Sequence, residues 1–457
     1  MSASNPAGVS ARSGLAAQLD RLPVGPLHRK IVIAVGLGLF FDIYEIFLSG
    51  SISTALTKDF SVSGLQLKLL LASAFVGMFF GAGFLGSLAD RIGRRKAFLF
   101  NLLWYSAWSI IGAFSPNVWV LVFARFMAGI GVGAEYPVAD AYLSDTMPKD
   151  KRGRMASWAY TCSFVAVPVV GFLALWLNSF RLLEISGWRW LMALGGLGAL
   201  AVLYMRRKLP ESPRWLLEKG RTKEAQAGLE AFAKGSGVQV MPIEDTAPSD
   251  TVTAKPATEI LRKAPYSRRV GMLAVFHLLQ TFGYYGFGTL AALVLVARGY
   301  DVTSSLLFVA LSFLGYPIGS LLSTPLIIRF ERKYLLMGSL VALAASGIAF
   351  ATSTAPAAII AFGFITTLVS NIFSNVYHIY QAEIFPTAVR ATAVGWTYSL
   401  SRLSSGALPF ILLPILDSFG ALTMFSTVAA ALMIICAAVA ILGPKTTRRS
   451  VEEINPV

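Results

Sequence analysis

The sequence predicts an all-α membrane protein of twelve transmembrane helices in two parallel six-helix repeats. Three observations predict it. Of the 457 residues, 55% are hydrophobic and only 14% are charged, against about 25% charged in a soluble protein. One apolar stretch follows another from Ile31 to Gly443, each long enough to cross a hydrocarbon layer of about 30 Å. The two halves of the chain also match each other at one constant offset in sequence.

The apolar stretches place helices near 31–55, 66–88, 97–115, 118–143, 155–177 and 188–207, then near 270–296, 304–328, 335–353, 356–381, 391–415 and 418–442. The chain divides accordingly into a cytoplasmic tail (1–30), a first bundle (31–207), a cytoplasmic linker with short helices (208–268), a second bundle (269–443) and a cytoplasmic tail (444–457). The segment Met1 to Leu27 is polar, lacks the apolar core of a cleavable signal peptide and reads as disordered. In the linker, Glu224 to Phe232 is a helix-like run, whereas Gly235 to Pro256 is polar and reads as mobile.

The net charge of +15 raises the question of nucleic acid, but its distribution answers otherwise. With a cytoplasmic N-terminus, about 32 of the 39 Lys and Arg fall inside and about five outside, and Arg125 and Arg402 lie within spans, the bias that orients membrane proteins. Both termini are expected in the cytoplasm. The basic surplus is a topology signal with affinity for anionic lipid, and no nucleic-acid partner is expected. Cys162 and Cys436 sit inside apolar spans and offer no disulfide or metal framework. His277 and His378 are too few and too separated for a metal site.

The repeat is read from two stretches. Tyr142-x-x-Asp145-x-x-Pro148-x-x-x-Arg152, with Trp158 and Tyr160, matches Tyr380-x-x-Glu383-x-x-Pro386-x-x-x-Arg390, with Trp396 and Tyr398, every pair 238 positions apart. The same offset carries Arg91, Arg94 and Arg95 onto Arg329, Arg332 and Lys333, and Gly50, Gly77 and Gly81 onto Gly288, Gly315 and Gly319. One offset held over this distance means duplication. Six spans per half, both starting on the same side, make a parallel repeat, whose substrate site is expected between the halves near the midplane.

These motifs resemble the major facilitator superfamily over nearly the whole chain. Gly86-Ser-Leu-Ala-Asp90-Arg91-Ile-Gly93-Arg94-Arg95-Lys96 looks like its signature between helices 2 and 3. The second copy departs from it, with Ile328 at the acid position and Glu331 at the glycine position. Pro210-Glu211-Ser212-Pro213-Arg214-Trp215-Leu216 resembles the sugar-porter and organic-ion branches, and Gly443-Pro444-Lys445-Thr446 with Arg449-Ser450-Val451-Glu452-Glu453 resembles the sugar-porter tail. Phe41-Asp42-x-x-Glu45, Gly133-Ala134-Glu135-Tyr136-Pro137-Val138, Phe282-Gly283-Tyr284-Tyr285-Gly286 and Ser401-Arg402-Leu403 look more like the bacterial niacin transporters and the organic cation/anion transporters. The resemblance implies the major facilitator fold, and the short first outer loop near Leu56 to Leu65 suggests a bacterial inner membrane.

Ionisable residues deep in a span mark functional paths. Asp42 lies eleven residues into helix 1 and Arg125 seven residues from the outer end of helix 4, which puts both near the midplane and lets them meet. A guanidinium favours the carboxylate and apolar burial opposes it, so one acid there can take and release a proton. The resemblance implies this part too, since sugar/proton symporters use a similar Asp and Arg; the plain alternative is a static pair that fixes helix packing. Glu45, nearly one turn beyond Asp42, and Glu135, about 15 Å further along helix 4, are second candidates for protonation or simple ties between helices. Asp140 reads as structural. Arg402 lies eleven residues into helix 11 with no acid of that helix within a turn, so its planar fork is a candidate clamp for a substrate carboxylate; the resemblance to the organic-ion branch implies the same. Gln280, the repeat-mate of Asp42, with Tyr284, Tyr285, Asn371, Asn375 and Tyr377, offers amides and phenols that suit sugar hydroxyls or an aromatic acid equally. Gly129-Ile-Gly131-Val-Gly133 follows no strand and reads as close helix packing, not a dinucleotide loop.

Asp90, Arg91, Arg94 and Arg95, with Asp145 and Arg152 and their counterparts Glu383 and Arg390, lie at inner helix ends. They read as a charge latch holding the halves shut on the cytoplasmic side, or as a basic cluster that only fixes topology. The sequence contains no supported nucleophile–base arrangement, so an enzyme is not expected, nor any cofactor beyond a proton gradient. The leading expectation is proton-coupled symport of a small organic anion, nicotinate or another aromatic acid, by a protein functional as a monomer. A proton-coupled sugar or polyol symporter is the alternative, followed by drug efflux and a non-transporting nutrient sensor.

Overall fold

The computed structural model describes residues 14–455 apart from 16, 149, 179–184, 235–237, 244–256, 448 and 450. The first bundle contains α1 (Pro26–Phe60), α2 (Gly64–Ile92), α3 (Arg94–Ala113), α4 (Val118–Thr146), α5 (Arg152–Phe164 and Ala166–Asn178) and α6 (Gly187–Arg206). The second contains α7 (Tyr266–Ala297), α8 (Val302–Phe313 and Gly315–Arg329), α9 (Arg332–Thr352), α10 (Pro356–Glu383), α11 (387–419) and α12 (421–442). Ten helices among the described residues are long and apolar enough to cross a membrane. One of these, Ala393–Leu442, is α11 and α12 joined at Gly420, whose φ of 80° breaks the helix. Helix α3, which opens on Arg94, Arg95 and Lys96, completes the twelve.

The breaks inside α5 and α8 follow from proline. Pro168 and Pro317 have no N–H to offer the carbonyls of Phe164 and Phe313, four residues back. Each helix tightens there through an i to i−3 bond, Val165 N to Cys162 O and Leu314 N to Leu311 O, both 3.3 Å.

Glycine sets the packing inside each half, and the repeat reappears in it. A Cβ on Gly77 or Gly81 of α2 would lie 2.0 Å from the carbonyl oxygens of Phe126 and Ile130 of α4. The mates Gly315 and Gly319 of α8 meet Phe364 and Leu368 of α10 at 2.4 and 2.2 Å, and those partners are themselves 238 positions on. Gly129 and Gly133 of α4 return the contact against Ala74 and Met78, as close backbone approach requires.

The N-terminal tail departs from the expectation of disorder from residue 14 onward. Leu15, Leu19 and Leu22 recur at helical spacing and are buried with Val35 of α1, Leu143 of α4 and Phe232 of the linker helix Thr222–Ala233. Asp20 binds Arg152 at 3.4 Å and Arg214 at 2.8 Å. Of the linker stretch read as mobile, residues 238–243 are docked: Met241 N donates to Gln18 Oε1 at 2.7 Å. The rest of that stretch, and Met1 to Arg12, lie outside the described residues.

The halves join through the middle and outer parts of their helices, away from the side that carries the tails and the linker. Gly50 of α1 abuts Thr289 of α7, Gly406 of α11 abuts Val76 of α2, and Gly171 of α5 abuts Ala310 of α8. Thr161 and Ser320 hydrogen-bond at 3.0 Å near mid-depth. The ion pairs described at the inner ends stay within one half. Among the described residues, the halves are therefore joined on the side away from the tails and the linker, and the helix ends on the tail side are the less joined.

Candidate functional site

Two buried ion pairs line the interior of the first half. Arg125 reaches into α1, where its guanidinium donates to Glu45 Oε2, to the Glu45 carbonyl at 2.6 Å and to Ser49 Oγ at 2.7 Å. Ser109 of α3 donates to the other carboxylate oxygen of Glu45. The expected partner of Arg125 was Asp42, and this is corrected: the guanidinium enters nearer the outer side, and Glu45 is almost one turn closer to it. Deeper toward the inner side, Glu135 pairs with Arg206, the last residue of α6. Arg206 also donates to the carbonyls of Ala34 at 3.0 Å and Val35 at 3.2 Å, and its guanidinium sits 4.3 Å from the centre of the Phe98 ring. Gly38 makes room for it, since a Cβ there would lie 1.8 Å from Nη2. Sequence reasoning gave Arg206 no role, because a basic residue at an inner helix end looks like a topology signal.

Asp42 lies between these pairs. It is fully buried, and neither of its oxygens is hydrogen-bonded. Glu135, Arg206, Glu45 and Arg402 are the charges that reach it. The hydroxyl of Tyr105, also fully buried, has no partner either.

Arg402 lies on the second half's face toward the first. Its guanidinium donates to Tyr398 Oη at 2.7 Å and Tyr285 Oη at 3.3 Å and touches Met78 Sδ of α2 at 3.7 Å, while Nε has no partner. No described salt bridge includes it. Aromatic rings crowd the place: Tyr285 packs on Phe75 and Tyr284, and Tyr398 on His277. Tyr377 packs on His277 and His378. Gln381 joins the two imidazoles, bonding His277 Nε2 at 3.0 Å and His378 Nδ1 at 3.3 Å. That bridge escaped the sequence, although Gln381 is one turn beyond both His378 and Tyr377. Gln280 is buried on α7.

Asn371 and Asn375 serve differently. Asn371 Nδ2 donates to the Tyr316 carbonyl at 2.6 Å, and Asn375 Nδ2 donates to Ser323 Oγ at 2.7 Å. Both tie α10 to α8 through their amide nitrogens, and Asn371 Oδ1 is left without a partner.

At the inner ends, Arg94 faces Asp145 at 3.6 Å and its mate Arg332 faces Glu383 at 3.3 Å. Asp145 accepts from Ser212 Oγ at 2.9 Å, and Glu211 accepts from the Arg95 amide at 3.0 Å, capping α3. In the second half Glu331 takes that part by accepting from the Thr446 amide at 2.9 Å. Partial burial pulls its carboxyl up, but the amides of Thr446, Thr447 and Lys333 together hold it below the usual range. Arg152 pairs with Asp20 of the tail, and Arg91 is exposed. The described pairs of these residues each join elements of one half. The side chains of Asp90 and Arg390 lie outside the described residues. No group of three or more metal ligands exists among the described residues.

A family profile described as "Sugar (and other) transporter" matches residues 30–457. The chain is 30% identical over 452 residues to the niacin transporter NiaP of Acinetobacter baylyi, covering 96% of this chain and 99% of that protein. It is 26% identical over 414 residues to a D-xylose transporter of Levilactobacillus brevis, covering 85% of this chain and 86% of that protein. Its fold matches a partially occluded inward-open structure of the E. coli xylose transporter XylE with a TM-score of 0.75 at 19% identity, over 93% of this chain and 100% of that one. The chain is thus a multi-pass membrane transporter of small substrates, not an enzyme, and it belongs to the sugar (and other) transporter family of the major facilitator superfamily.

Proposed function

We propose that this transporter is a proton-coupled symporter of a small organic anion, of the nicotinate or aromatic-acid type, working as a monomer by alternating access. It acts in the bacterial inner membrane with both termini in the cytoplasm and takes its driving force from the proton gradient, with no bound cofactor. The observation that carries the reading is Arg402, a buried guanidinium held by two phenols with no described carboxylate beside it. A guanidinium in a low-dielectric site without a counter-ion favours an incoming anion, and its planar fork fits a carboxylate. The rings of Tyr285, Tyr377, Tyr398 and His277 offer faces to an aromatic body. The likeness to a niacin transporter over nearly the full length agrees.

Asp42 carries the coupled proton. A charged carboxylate buried without a hydrogen bond is far costlier than a protonated one, so its two bare oxygens suit a site that holds a proton when the outer side is closed. Glu45 and Glu135, each already paired with an arginine, tie α1 to α4 and α4 to α6.

A sugar or polyol substrate is the second reading, favoured by the similarity to a D-xylose transporter. Binding of screened acids and sugars to wild type, Arg402→Lys and Arg402→Gln, measured by calorimetry, separates the two. An acid should bind wild type best, Arg402→Lys about tenfold more weakly and Arg402→Gln more weakly still, as the fork and then the charge are lost. Binding of neutral sugars alone, or unchanged acid affinity in Arg402→Gln, makes the sugar reading the better one.

A further inference from the structure

The inner mouth between the halves carries two residues that the latch and the binding site leave unused, Asp140 of α4 and His378 of α10. They are repeat-mates, 238 positions apart. Parallel repeats are related by an axis along the membrane normal, so the two lie at one depth on opposite sides of the path from Arg402 to the inner surface. Both are exposed in this arrangement, and each leans on the other member of a second mated pair. Tyr160 of α5 donates its hydroxyl to Asp140 Oδ1. Tyr398 of α11 lies 6.2 Å, ring centre to ring centre, from His378. Asp140 also lies within electrostatic reach of Tyr398 of the other half.

Their hydrogen-bonding chemistry is complementary. An amide nitrogen only donates, so Gln381 Nε2, bonded to His378 Nδ1 at 3.3 Å, leaves the imidazole proton on Nε2. Among the described residues, that N–H has no partner and Asp140 Oδ2 accepts no hydrogen bond. Other ionisable groups around the pair are Tyr160 on α5, Tyr398 and Arg402 on α11, Tyr377 on α10 and His277 on α7.

We propose that Asp140 and His378 form the inner gate of this transporter, meeting as a carboxylate–imidazole contact when the inner ends of α4–α5 and α10–α11 close over the Arg402 site. The gate lies deeper than the Arg94–Asp145 and Arg332–Glu383 pairs and, unlike them, crosses from one half to the other. Closing moves Asp140 toward His378 while Tyr160 keeps the carboxylate oriented and Gln381 keeps the imidazole's proton aimed outward.

The test reads conformation and needs no substrate, so its failure leaves the anion reading untouched. With Cys162 and Cys436 replaced, the Asp140→Cys/His378→Cys protein in membrane vesicles should form a disulfide under mild oxidation. Spin-label distances between the inner ends of α4 and α10 should show Asp140→Asn and His378→Gln each lowering the inner-closed population by about tenfold, the worth of one charge-assisted contact. The double variant should fall no further than either single one. Absence of the disulfide under all oxidising conditions, or additive effects in the double variant, overturns the gate.

Discussion

At the residue scale, three arginines buried in the bilayer interior have three different fates. Arg125 and Arg206 are each paired with a carboxylate and backbone carbonyls, whereas Arg402 rests on phenols. Removing one partner of a buried pair leaves the other charge stranded, at about 3–5 kcal/mol. Arg206→Met should therefore lower the melting temperature of the detergent-solubilised protein by several degrees, and Arg402→Gln should leave it near wild type. Equal losses in the two variants would make Arg402 a structural cation. Asp42→Asn is expected to abolish uphill uptake driven by a proton gradient while leaving downhill exchange partly intact, since an amide fills the same space and carries no exchangeable charge. Uphill accumulation surviving in Asp42→Asn would move the coupling role to Glu45 or Glu135. Sequence made Asp42, Glu45, Glu135 and Arg402 visible, because charges in apolar spans stand out. It could not choose which acid Arg125 meets, since the choice turns on one helical turn of axial offset and on the facing of α1.

At the element scale, helix pairs in each half are brought together by glycines whose positions repeat, and the repeat was fully legible because it needs only identity at one offset. What the glycines touch was not, since Phe126 and Ile130 contribute carbonyl oxygens and no side-chain signal. Gly77→Ala puts a methyl 2.0 Å from a carbonyl oxygen, an overpacking worth about 1–3 kcal/mol. Gly315→Ala should behave alike at 2.4 Å from the Phe364 carbonyl. Gly271→Ala in α7 meets nothing within 4 Å and should stabilise by about 0.5–1 kcal/mol through helix preference alone. Thermal unfolding of the three variants checks this. Equal stability of Gly77→Ala and Gly271→Ala would mean that α2 and α4 are not held at this approach. The tail helix went unread for another reason: its leucines at 15, 19 and 22 are too few to announce a helix, and their burial depends on the linker helix folding beside them.

At the scale of the whole molecule, the sequence gives two alike bundles and a basic inner face, but a static string of residues says nothing about which side is open. That follows from where the halves touch, and it changes the meaning of the charged inner ends. Arg94–Asp145 and Arg332–Glu383 are present while the inner ends are the less joined, so these pairs do not depend on closure. Both are partly solvated, with side chains 13–22% exposed, and each is worth less than about 1 kcal/mol. A pair inside one half moves with that half as a rigid body and biases the equilibrium only through whatever the same residues touch after closing. Arg94→Gln should accordingly broaden spin-label distances between α3 and α4 within the first half. The distribution between the inner ends of α4 and α10 should shift much less than it does in His378→Gln. If Arg94→Gln instead moves the distance between the halves and leaves the distance within the half unchanged, the signature arginine joins the halves after all, and its contact with Asp145 is a resting place between closures.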